Sequence, residues 1–226
     1  MARLPNRELV AAFAAVAVIT VAYVGVTGAI GVPRAKGLIG HSLGIVGFAL
    51  MLFTEIGYSL RKRAIGRPRG TMRAWLQLHI FTGIVGPYLV LLHTAWSFNG
   101  LAGALTVLVL IIVISGFLGR YIYTAVPRTA DGAILEAEEI GRMLEAAKAE
   151  AAAAHAEGIS RDPAAIKRER QAERRLRQIE RQMAALRWAR RSLATWHTIH
   201  IPIGMAMFIT AGAHIVAALY YATLAR

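Results

Sequence analysis

HIFTGIVGPYLVLLH, residues 79–93, and HIPIGMAMFITAGAH, residues 200–214, decide how this chain is read. Each segment begins and ends on a histidine, is otherwise almost wholly apolar, and holds its two histidines 14 residues apart. On an α-helix that separation rises roughly 21 Å. It also makes four turns at the ~3.5-residue repeat of a supercoiled bundle, so both imidazoles of a segment fall on about one face. Two such helices side by side suit two flat macrocycles, one above the other, each held by a histidine from either helix. Zinc and copper also take imidazole. The gap is too wide for two histidines of one helix to share an ion, so the ligands of each site must come from different helices.

An ionisable side chain in a bilayer core is costly and is a functional candidate by default. The ordinary alternative is a helix–helix hydrogen bond. For His79, His93, His200 and His214, equal spacing on two segments favours ligation over packing.

Composition sets the frame. The 226 residues are 56% hydrophobic, with a mean hydropathy of +0.49, more apolar than an ordinary soluble domain. There is no cysteine, which excludes disulfides, cysteine-ligated iron–sulfur clusters and c-type haem attachment. The net charge of +13 is first explained, in a membrane chain, by the excess of Lys and Arg in cytoplasmic loops.

Five stretches are long enough to cross a bilayer: 9–30, 37–60, 74–98, 101–124 and 198–224. The N-terminal MARLPNRELV runs into the first of them, and we expect a retained span there rather than a cleaved leader. The fold class expected is an all-α membrane protein with five transmembrane helices. A four-helix haem-binding bundle and a cytoplasmic helical hairpin between spans 4 and 5 complete it. Its organisation is spans 1–4 over residues 1–126, a charged hairpin over 127–196, and span 5 over 197–226 in the same bundle as spans 2–4.

The loops orient it. The 2–3 loop carries Arg61, Lys62, Arg63, Arg67, Arg69 and Arg73, and the 4–5 connection begins with Arg128. The 1–2 loop has only Arg34 and Lys36, and residues 97–100 carry no charge. This places the N-terminus in the cytoplasm and the C-terminus outside. Spans 3 and 5 then run parallel, setting His79 level with His200 on the inner side and His93 level with His214 on the outer side.

Residues 133–157 are alanine-rich and mostly acidic. After GISRDP, with Asp162 as N-cap and Pro163 at the first helical position, residues 164–195 read as a basic helix. Its Leu176, Ile179, Met183, Leu186 and Leu193 follow heptad spacing, so an antiparallel hairpin is expected. The helix is expected to run on toward span 5 until Pro202 kinks it. Its arginines suit nucleic acid, anionic lipid or a soluble redox partner, or simply a solvated face. In a membrane chain we expect lipid and redox subunits and no nucleic acid.

Other residues bear on the site. Gly83, Gly86, Gly204 and Gly212 lie between the paired histidines, and Gly40, Gly44, Gly47, Gly116 and Gly119 lie on neighbouring spans, where small residues admit a macrocycle or another helix. Arg120 is a candidate partner for haem propionates, as is Arg73, although either also suits a positive-inside anchor. His41, Glu55 and His197 are candidates for a quinone or proton site, with surface or ion-paired roles as the alternative. His155 reads as solvated and idle.

With its paired histidines, the chain resembles the membrane dihaem cytochrome b superfamily, in particular the small cytochrome b subunits of bacterial respiratory oxidoreductases. Placement of both pairs on the third and fifth spans is also similar to the ferric reductase-like membrane domain, although a sixth span and a flavin domain are missing. The resemblance covers spans 2 to 5, and the histidine spacing is its only specific motif. It implies two haem b, the inner iron held by His79 and His200 and the outer by His93 and His214. It also implies a quinone, partner subunits of iron–sulfur, flavin or multihaem type, and a place in the bacterial inner membrane. The function expected is electron transfer across the membrane for a quinone-linked oxidoreductase. The alternatives are a stand-alone transmembrane reductase of the ferric-reductase type and a non-redox scaffold.

Overall fold

The computed structural model describes residues 6–62, 71–124, 137–158 and 162–223. Arg63, Arg67, Arg69 and Arg128 of the basic loops, and the start of the acidic segment, lie outside the described residues. Six helices follow in order: α1 (Arg7–Ile30), α2 (Leu38–Lys62), α3 (Met72–His93), α4 (Gly100–Thr124), α5 (Ala137–Gly158) and α6 (Pro163–Thr223). No strand occurs among the described residues. α1 to α4 and α6 are each long and apolar enough to cross a bilayer, so the chain is a multi-pass membrane protein.

Local chemistry sets the helix ends. Thr71 caps α3, its side chain accepting from the Ala74 amide at 3.2 Å. α6 opens on Pro163, and Asp162 Oδ1 accepts from the Ala164 amide at 3.2 Å. α1 closes on Gly31, whose φ of 78° is open to glycine at little cost and lets its amide reach the Thr27 carbonyl.

One boundary differs from expectation. α3 stops at His93 instead of running to residue 98. Ala95 and Trp96 take left-handed φ values of 47° and 64°, which breaks the helical repeat. The turn is held by Thr94, whose Oγ1 accepts from the Trp96 amide at 3.2 Å and whose carbonyl accepts from the Ser97 amide at 2.9 Å. At the other end of the chain, the basic helix runs on into the fifth span as expected, in one 61-residue helix that contains Pro202.

The contacts divide the chain into a first unit over Leu118–His197 and a second over Pro5–Phe117 with Thr198–Arg226. In the second unit α2 and α3 touch backbone to backbone. A Cβ added to Gly47 would lie 2.7 Å from the Gly86 carbonyl oxygen, and one added to Gly86 would lie 2.7 Å from Met51 Cγ. The hydroxyls of Thr54 and Thr82 hydrogen-bond across the same seam, and Thr20 of α1 bonds the Tyr88 hydroxyl of α3 at 2.6 Å. Met51 of α2, Leu105 and Val109 of α4, and Met207 and Ala211 of α6 form one buried cluster. Ala12 of α1 packs with Val85 and Leu89 of α3 in another.

In the first unit, Ile140 and Ala147 of α5 bury against Ile179 and Leu186 of α6, with Leu176 and Met183 alongside. Glu150 pairs with Arg175 at 3.0 Å, and His155 with Glu169 at 2.6 Å. Partners rise in number along α5 as they fall along α6, so the two helices run antiparallel. His155 is therefore ion-paired, not idle. Its hydrogen bond and charge attraction to Glu169 raise its pKa above the ordinary histidine value.

Candidate functional site

α3 brings two histidines into the second unit, His79 in its early turns and His93 as its last residue; α6 brings His200 and His214. All four are half-buried. His93 is held most closely. Its Nδ1–H donates to the Gly40 carbonyl of α2 at 2.7 Å. Its ring lies over Gly44, where an added Cβ would sit 2.9 Å from His93 Cγ. The exposed His41 ring meets it edge-on, with centroids 6.1 Å apart. His214 of α6 lies within electrostatic range of His93.

His200 Nδ1 and the buried Ser115 hydroxyl of α4 are 3.0 Å apart. His79 lies in the field of Glu55 on α2, itself exposed and accepting a hydrogen bond from Ser59 at 3.1 Å. The structure thus groups His93 with Gly40 and His41, and His200 with Ser115.

These contacts bear on ligand chemistry. A metal-binding histidine commonly engages one ring nitrogen with a carbonyl or hydroxyl, which fixes the tautomer and leaves the other nitrogen for the metal. Gly40 does this for His93, and Ser115 is placed to do so for His200. Among the described residues no three His, Asp or Glu side chains gather into a set able to hold a metal ion. A haem, which brings its own equatorial nitrogens, needs only two imidazoles. A disc also needs room. Gly83 between the histidines of α3, Gly212 between those of α6 and Gly116 beside Ser115 each face space in which an added Cβ would meet nothing within 4 Å. The residues present fit haem.

Arg120 and His197 belong to the first unit. Arg120 is half-buried near the end of α4, next to Gly119, over which the Trp196 indole packs. The His197 ring lies 4.7 Å from the Trp196 ring, centroid to centroid. Sequence reading missed the Gly40 carbonyl and Ser115. A backbone carbonyl leaves no trace in residue type, and a single serine in an apolar helix reads as ordinary.

Compared with family models, with characterised proteins and with solved structures, the chain matched none.

Proposed function

We infer that the chain is a dihaem b-type cytochrome, the membrane subunit of a quinone-linked respiratory oxidoreductase in a bacterial cell membrane. The observation that carries this reading is the engagement of His93 Nδ1 by the Gly40 carbonyl. The matching contact of His200 with Ser115 supports it on the other pair.

Haem, when bound, supplies a one-electron iron couple at each of two membrane depths. His79 and His200 would hold the inner group, and His93 and His214 the outer one. Iron held by two imidazoles would be suited to electron transfer rather than to oxygen chemistry. Gly40 and Ser115 orient the rings and raise their basicity toward the metal. Glu55 and His41 would take up or release the protons of a quinone. The N-terminus is cytoplasmic, the C-terminus outside, and the partners are iron–sulfur, flavin or multihaem subunits.

The deciding experiment is a dithionite-reduced minus oxidised spectrum of the purified protein with a haem-to-protein ratio. Two non-covalent b haems per chain are expected, with one lost in each of His93→Ala and His200→Ala. A colourless protein overturns the reading. Purification as an active reductase of outer metals, free of partners, would replace the subunit by a stand-alone reductase.

A further inference from the structure

The apolar face of α6 in the first unit is occupied by α5, and the opposite face carries a pattern of its own. Lys167, Arg170, Arg174, Arg177 and Arg181 follow one another at spacings of three and four residues, and all are exposed. At 100° per residue, Lys167, Arg170, Arg174 and Arg181 fall within an arc of about 60°. The buried Ala172, Ile179 and Leu186 centre roughly 150° away. Arg177, ion-paired to Glu173 at 2.6 Å, borders the row. The row spans roughly 21 Å. Continuing the same spacing, it reaches Ala184 and then Trp188, 49% exposed.

We propose that this row is a docking surface for an acidic protein, whose carboxylates lie along the cations and whose surface receives Trp188. Charge complementarity selects an anionic partner. A helix that inserts into the lipid interface does so by an apolar face. Here that face is filled by α5, and Gln171, Gln178 and Gln182 flank the row instead. Arginine with exposed tryptophan is the composition of protein–protein hot spots. Arginine also takes carboxylates within this unit, as Arg175 does Glu150 and Arg177 does Glu173. The surface is independent of whether haem is bound.

The test uses the full chain in detergent and, as probe, a helical peptide with glutamates at three- and four-residue spacing. Arg170, Arg174 and Arg181 are changed together to Gln in one variant, and Arg187, Arg190 and Arg191 in another, so that both lose the same charge. The first is expected to weaken peptide binding by about tenfold or more, and the second by less than about threefold. If the first variant loses helicity, Arg174→Gln is read alone and is expected to cost about threefold. Equal weakening by the two triple variants overturns the row as the site. Row-dependent binding of a DNA duplex, or of phosphatidylcholine vesicles containing phosphatidylglycerol, without binding of the peptide overturns the acidic-protein partner.

Discussion

At the scale of single residues, glycine at position 44 is what lets the His93 ring lie against α2. A methyl group there would meet Cγ at 2.9 Å, closer than such contacts normally come, so the ring or the helix must move. Gly44→Ala is expected to lower the haem-to-protein ratio from two toward one, measured by pyridine haemochrome against protein concentration. Unchanged retention would mean that the ring yields without losing its ligand geometry. Two residues beyond His93, Ala95 pays a steric cost in its left-handed conformation of roughly 1–2 kcal/mol. Ala95→Gly removes that cost but loosens the unfolded chain, so a net gain of at most about 1 kcal/mol is expected, read as a small rise in melting temperature. That His79 and His93 lie on one helix and His200 and His214 on another was legible in the sequence, because each pair sits in one long apolar run. The contacts of His93 with Gly40 and of His200 with Ser115 were not, because they join different helices and arise only from packing.

At the scale of elements, hydropathy announced each apolar helix, and the Asp162–Pro163 start of α6 was readable because capping is local chemistry. The end of α3 was not, since Ala95, Trp96 and Phe98 prolong the apolar run while the backbone has already turned left-handed. In the α5–α6 pair, Leu186 is 2% exposed within the shared cluster. Leu186→Ala is expected to cost about 2–5 kcal/mol, seen as faster amide exchange along α5. The His155–Glu169 contact makes the far end of this pair sensitive to pH. A histidine whose pKa is raised by folding contributes stability fully below its unfolded value of about 6.5, and loses it as pH climbs through the raised value. Amide protection near His155 is therefore expected to fall as pH rises across that window, and to be flat with pH in His155→Gln.

At the scale of the whole molecule, the absence of cysteine makes topology directly measurable, because any introduced thiol stands alone. Asn99→Cys, between α3 and α4, is expected to react with an impermeant maleimide applied to intact cells. Ala156→Cys, in α5, is expected to react only after the membrane is opened. The reverse pattern inverts the orientation and exchanges the inner and outer histidine pairs. The hold of Gly40 on His93 has a further bearing on how the protein is made. Both partners lie within the first 93 residues, whereas His214 leaves the ribosome 121 residues after His93. At ~5–20 residues per second that interval is on the order of 6–24 s. The α2–α3 pair is thus made early enough to fix the His93 imidazole against Gly40 while the helix that carries His214 is still unsynthesised.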